Sequence, residues 1–184
     1  MDSVPSPHEP SEPIAIIGMA CRLPGAINSS SSLWDALLSK RNTYTTVPPS
    51  RFTQASFHHP DGSRPGSLNI PGGNFIQSSI AEFDAAFFGV SPVDAYVMDP
   101  QQRILLEVAY ECLESAGVPT ECLKGQNVGV YVGAWTSDYE NIQVKDPNSK
   151  EAEASWITGT GRAILSNRVS YVFDFKGPRY VTHN

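Results

Sequence analysis

Asp99-Pro100-Gln101-Gln102-Arg103-Ile104-Leu105-Leu106-Glu107, continuing to Gly117, is the most legible stretch of this 184-residue chain. Asp99 suits a helix N-cap, and Pro100 suits the first helical position, where its missing N–H costs nothing. Gln102 stands three residues after the cap, where its amide is predicted to reach back as in a capping box. Leu105, Val108, Ala109, Cys112 and Ala116 then fall on one face. Arg103, Glu107, Glu111 and Glu114 fall on the other, with Arg103 and Glu107 an i,i+4 ion pair. Gly117 supplies the C-terminal turn and Pro119 blocks continuation. The reading is a half-buried amphipathic helix.

Working outward, residues 14–18 (Ile-Ala-Ile-Ile-Gly) are apolar on both faces and read as a buried strand. Ser32 is the predicted N-cap of a helix carrying Leu33, Trp34, Leu37 and Leu38. Residues 41–73 are rich in Pro, Gly, Ser and His and read as a long loop. Phe83, Phe87 and Phe88 read as core. Val128, Val130 and Val132 alternate with Gly129, Tyr131 and Gly133, the period of a strand whose glycines allow close approach. Ile164, Leu165, Arg168, Val169 and Val172 make a second helical stripe, and residues 176–178 (Lys-Gly-Pro) make a turn. The order strand, helix, helix, strand, helix predicts an α/β layered fold. Residues 1–12, with Pro5, Pro7 and Pro10 among serines and acidic residues, read as a disordered leader without the apolar region of a signal peptide.

Composition narrows the function classes. Thirteen Lys plus Arg against nineteen Asp plus Glu give a net charge of −6, which argues against wrapping nucleic acid. The sign reverses near the C-terminus, where Arg162, Arg168, Lys176 and Arg179 face only Asp174. Cys21, Cys112 and Cys122 lack the spacing of a zinc site or disulfide framework, so a reduced, cytoplasmic setting is expected. No apolar run approaches the ~18 residues of a membrane span.

No catalytic constellation emerges from residue chemistry alone. Cys112 lies mid-helix on the apolar face, Cys122 lies in a short connection, and neither has a nearby histidine in sequence. Cys21 follows the first predicted strand, where α/β proteins do place sites, but free cysteines are commonly just buried. His58 and His59 are adjacent in the long loop, point apart, and have no third ligand. Gly159-Thr160-Gly161 precedes a helix and would suit a phosphate, yet lacks the lysine of a phosphate loop. Neither a metal nor a bound cofactor is expected.

Several strings together resemble a known family: PIAIIGMACRLPG at 13–25, Arg51-Phe52, Gly72-Gly73-Asn74-Phe75, FDAAFF at 83–88, residues 98–107, residues 128–133, and TGTGRAILSNRVSYVFDFKGP at 158–178. In order and over residues 13–178, they resemble the β-ketoacyl synthase domain of a modular-type polyketide synthase. The stretch from His58-His59-Pro60-Asp61 to Gly72-Gly73 resembles the fungal, highly reducing, iterative subgroup.

The resemblance implies a thiolase-like fold of five αβαβα layers, here its incomplete N-terminal half, and a homodimer. It implies decarboxylative Claisen condensation: an acyl group held on an active-site cysteine is attacked by malonyl on an acyl carrier protein bearing phosphopantetheine, with two histidines assisting. Asp99, Pro100, Gln101, Gln102 and Arg103 match a structural motif of the family. Thr158, Gly159, Gly161, Arg162, Asn167 and Arg168 match a region near the dimer contact and acyl pocket. Residues 179–184 (Arg-Tyr-Val-Thr-His-Asn) depart from the family pattern, whose nucleophile would fall about two positions beyond Asn184. His183 matches neither catalytic histidine, and no catalytic residue carries over. The chain is therefore expected to be inactive alone, as a fragment, a remnant that docks on an intact synthase, or an incomplete gene reading. The apolar faces of residues 105–116 and 164–172 are expected to lack partners.

Overall fold

The computed structural model describes residues 13–145 and 153–182. In chain order these form α1 (Ser30–Leu38), β1 (Tyr44–Thr46), β2 (Gly72–Asn74), α2 (Pro92–Val97), α3 (Pro100–Ser115), α4 (Thr120–Leu123), β3 (Val130–Gly133), α5 (Asp138–Lys145), α6 (Glu153–Thr160), α7 (Ile164–Val172) and β4 (Arg179–Thr182). β1 and β2 pair antiparallel, so the predicted long loop is pinned by a small ribbon, Tyr44 opposite Asn74. β3 and β4 pair in parallel, with Val130 opposite Arg179, Tyr131 opposite Tyr180 and Gly133 opposite Thr182.

The core lies between α3, α7 and this parallel pair. Met98, Leu106, Val169, Phe173 and Phe175 are its buried members, and Phe83, Phe88, Leu105, Ala109, Tyr110 and Val130 pack around them. The apolar faces of the two helices therefore cover each other, contrary to the expectation that both would be bare. Phe88 stacks on Phe83 at 5.3 Å and meets Phe173 edge-on at 6.4 Å, as the predicted aromatic core requires. Phe87 is more than half exposed and leans on Tyr110 at the rim.

Local chemistry corrects other expectations. Residues 14–18 join no ladder, and Ile14, Ile16 and Ile17 are largely exposed. An apolar run becomes a buried strand only when neighbours pair with it. Here the segment lies along α3 instead, with Gly18 so close that a Cβ would stand 2.4 Å from the Cys112 carbonyl. The α1 cap is Ser29, not Ser32: Ser29 and Ser32 exchange side-chain-to-backbone hydrogen bonds in a reciprocal capping box. Of α1 only Ala36 is buried, and Trp34, Leu37 and Leu38 stay exposed. Residues 179–182, expected to depart from the family pattern, form β4.

Candidate functional site

The Asp99–Arg103 motif stands where the turn after β3, the α6–α7 corner and the start of α3 converge. The Asp99 carboxylate caps α3 by accepting from the Gln101 N–H at 2.8 Å. Its other oxygen accepts the Ser137 hydroxyl at 2.6 Å, which ties the cap to the segment leaving β3. The Gln101 amide adds a bond to the Thr136 carbonyl at 2.9 Å.

Gln102 does not close a capping box. The Asp99 N–H that it was expected to reach donates to the Gly159 carbonyl at 2.9 Å. The fully buried Gln102 amide instead donates to the carbonyls of Gly159 at 2.8 Å and Thr158 at 3.1 Å. Its oxygen accepts from Arg168 Nε at 3.2 Å, and Arg168 Nη2 donates to the Thr158 carbonyl at 3.1 Å. Burial pushes the half-buried Arg168 guanidinium below its ordinary range, opposed by the charge of Asp94. Each polar atom of Gln102 is thus satisfied inside the fold, which is what makes a buried amide tolerable. Gly159 lets the end of α6 pack closely on α2, since a Cβ there would stand 2.6 Å from the Val97 carbonyl. Close packing accounts for this glycine.

Arg103 is the second departure. Predicted on the exposed face beside Glu107, it is buried and donates to the Ala81 carbonyl at 3.3 Å. Arg22 takes the place opposite the acidic face, 2.5 Å from Glu111 and 3.7 Å from Glu107. Hydrogen bonding to Glu111 raises Arg22, whereas desolvation raises Glu107 despite Arg22 beside it.

The two residue sets singled out in the sequence meet here. Thr158, Asn167 and Arg168 line a cavity of about 540 Å³ with Asp94, Tyr171 and Arg179. Gly161 and Arg162 border a narrow cleft with Asp99 and Gln102, and Arg162 donates to the Trp135 carbonyl. The C-terminal cationic run does not form one patch: Lys176 pairs with Asp174, while Arg168 and Arg179 share the Asp94 cavity. Asp94 itself was missed. It accepts the Ser91 and Ser155 hydroxyls at 2.7 and 2.6 Å, which hold its carboxyl below the usual range, Ser155 foremost. The Ser91-x-x-Asp94 spacing is a capping signal that makes half of this arrangement readable.

Reacting groups are not assembled among the described residues. Cys21 and Cys112 are half-buried, Cys122 is exposed, and no hydrogen bond joins them to a histidine. His59 Nδ1 accepts from the Asp61 N–H within the loop. No group of three metal-ligating side chains is found among the described residues. No described helix is long and apolar enough to cross a membrane.

A parallel strand pair packed against α7, with α7 in turn packed on α3, places the chain among the layered α/β folds. Residues 11–183 match the β-ketoacyl synthase N-terminal domain, and the chain belongs to that family. It is 51% identical over 169 residues to the highly reducing polyketide synthase easB of Emericella nidulans, covering 92% of this chain and 7% of that protein. It is 48% identical over 173 residues to the highly reducing polyketide synthase srdA of Neurospora crassa, covering 94% of this chain and 7% of that one. Among solved structures it resembles the oxazolomycin ketosynthase domain OzmH KS7 of Streptomyces albus JA3453, with a TM-score of 0.76 and 34% identity over 92% of this chain and 29% of that one. The fold is accordingly thiolase-like, of which the chain spans the N-terminal part of the ketosynthase domain.

Proposed function

We propose that this chain furnishes the N-terminal framework of a ketosynthase that elongates a polyketide by decarboxylative Claisen condensation. In that reaction malonyl held on an acyl carrier protein loses CO₂, and the resulting carbanion attacks an acyl thioester and expels its thiolate. The observation that carries this reading is the clamp of Asp99, Gln102, Gly159 and Arg168, in which the family's strings meet as one hydrogen-bonded unit beside a parallel strand pair. The identities to highly reducing polyketide synthases support it. The described residues supply position rather than reacting groups, and the working unit is a homodimer served by a carrier protein. The free cysteines suit a reducing, cytoplasmic setting.

Two measurements test this. After incubation of the purified chain with an acyl thioester, intact-mass analysis is expected to show no stable acyl adduct; an adduct on Cys21, Cys112 or Cys122 would contradict a framework role. In a highly reducing synthase whose corresponding segment is replaced by residues 13–182, chain elongation is expected to persist. A folded chimera that cannot elongate would sink the proposal.

A further inference from the structure

A cavity of about 530 Å³ lies between Thr45 and Thr46 of β1, the turn at residues 48–51 and the segment after β2, residues 75–81. The ladder of β1 on β2 fixes one wall. The Arg51 N–H donates to the Pro48 carbonyl at 2.9 Å and closes the turn. Arg51 Nη2 donates to the Ile76 carbonyl at 3.0 Å and fastens the turn to the segment after β2. Half-buried Pro48, Phe75, Ile76 and Ile80 supply an apolar lining. Thr45, Thr46, Ser50, Ser78 and Ser79 add five hydroxyls, and Gln77 adds an amide. Among the described residues, none of these six side chains is hydrogen-bonded within the fold. An apolar lining with a few convergent polar groups, at this volume, has the make-up of a small-molecule site.

Charge decides the kind of ligand. Arg51 is the one ionised side chain of the lining, which holds no carboxylate. Asp99 and Asp138 border the neighbouring hollow that Arg51 also touches, but among the described residues no carboxylate comes within ion-pairing distance of Arg51. The surroundings carry the same sign. From Lys40 to Ala81 the chain holds Lys40, Arg41, Arg51 and Arg64 against Asp61 alone, in a molecule whose net charge is −6. A local positive field on an acidic protein concentrates anions there. A guanidinium fork matches either a carboxylate or a phosphate. A carboxylate would leave most of the six neutral groups unused, whereas the three terminal oxygens of a phosphate monoester, with hydroxyls on the rest of the molecule, engage them. We infer that this cavity binds a small phosphate monoester with a hydroxylated body, its phosphate on Arg51 and its hydroxyls on the Thr, Ser and Gln side chains. The site lies wholly within residues 45–81 and shares no lining residue with the clamp of Asp99, Gln102, Gly159 and Arg168, so its test is independent of chain elongation.

The test titrates the full 184-residue chain, in a phosphate-free buffer, with glucose 6-phosphate, inorganic phosphate and glucose, read by isothermal calorimetry. Glucose 6-phosphate is expected to bind one-to-one with a dissociation constant of about 1 mM or below. Inorganic phosphate is expected to compete with it more weakly, and glucose not to bind. Arg51→Gln is expected to weaken the ester by about tenfold or more, the scale of a lost charged hydrogen bond. Arg64→Gln, in the same cationic stretch but outside the cavity, leaves binding unchanged. A second measurement needs no variant. Phenylglyoxal modifies accessible arginines, and peptide mass mapping is expected to show glucose 6-phosphate protecting Arg51 while Arg64 stays reactive. No saturable binding at millimolar ester, an equal loss with Arg64→Gln, or Arg51 unprotected in the saturated chain would each overturn the inference. So would glucose binding as well as its phosphate, or inorganic phosphate binding where the ester does not.

Discussion

Gln102 shows how one side chain can decide a corner of the fold. Its amide satisfies two carbonyls from the α6 terminus and one guanidinium from α7; the bond to Gly159 is buried and the other two are partly buried. Gln102→Leu keeps the volume and orphans those groups, each costing about 1–3 kcal/mol. The expected loss is about 2–4 kcal/mol in the unfolding free energy, read by urea denaturation. Asp94 acts on α2 and α6 through the Ser91 and Ser155 hydroxyls. Its folded pKa is lowered, so its contribution is present above the unfolded value of about 3.9 and is lost as pH falls through the folded one. Asp94→Asn is therefore expected to lower the thermal midpoint at neutral pH, and the gap between wild type and variant to close in acid. A gap independent of pH would assign the role to packing instead.

At the scale of elements, the parallel pair depends on a glycine. Gly177 precedes β4 and lies against the Val128 backbone, where an added Cβ would stand 2.4 Å from the carbonyl carbon and oxygen. No side-chain rotation relieves a clash with backbone, so β4 must move. Gly177→Ala is expected to strip hydrogen-exchange protection from the amides of Val130 and Ala134, which donate to Pro178 and Thr182. The amides of α3 should stay protected. The capping of α3 by Asp99 and its termination at Gly117, with φ +66°, were both legible in sequence because they depend on neighbours within a turn. The destination of Gln102 and the burial of Arg103 were not, since their partners lie 57 residues downstream and 22 upstream.

At the scale of the whole molecule, the described residues bring the family's strings from Arg22 to Pro178 together around one core. The absence of an acyl adduct on the isolated chain and the activity of the chimera are expectations of this scale, because elongation belongs to a larger unit than the chain spans. Relatives to which it is about half identical are more than ten times its length, since it covers 7% of each.

The sequence by itself determined the long helix with its cap, the alternating strand, the turn at residues 176–178 and the family, because each is written in local spacing or in strings that survive as strings. Tertiary structure alone decided the rest. It paired residues 179–182 as β4, turned a predicted capping glutamine into a buried clamp, drew an exposed-face arginine inward, and left the Ile14–Gly18 run without a ladder. The physical reason is the same in each case. A strand, a buried amide and a buried charge are stable only through partners distant in the chain, and local spacing does not say which partners arrive.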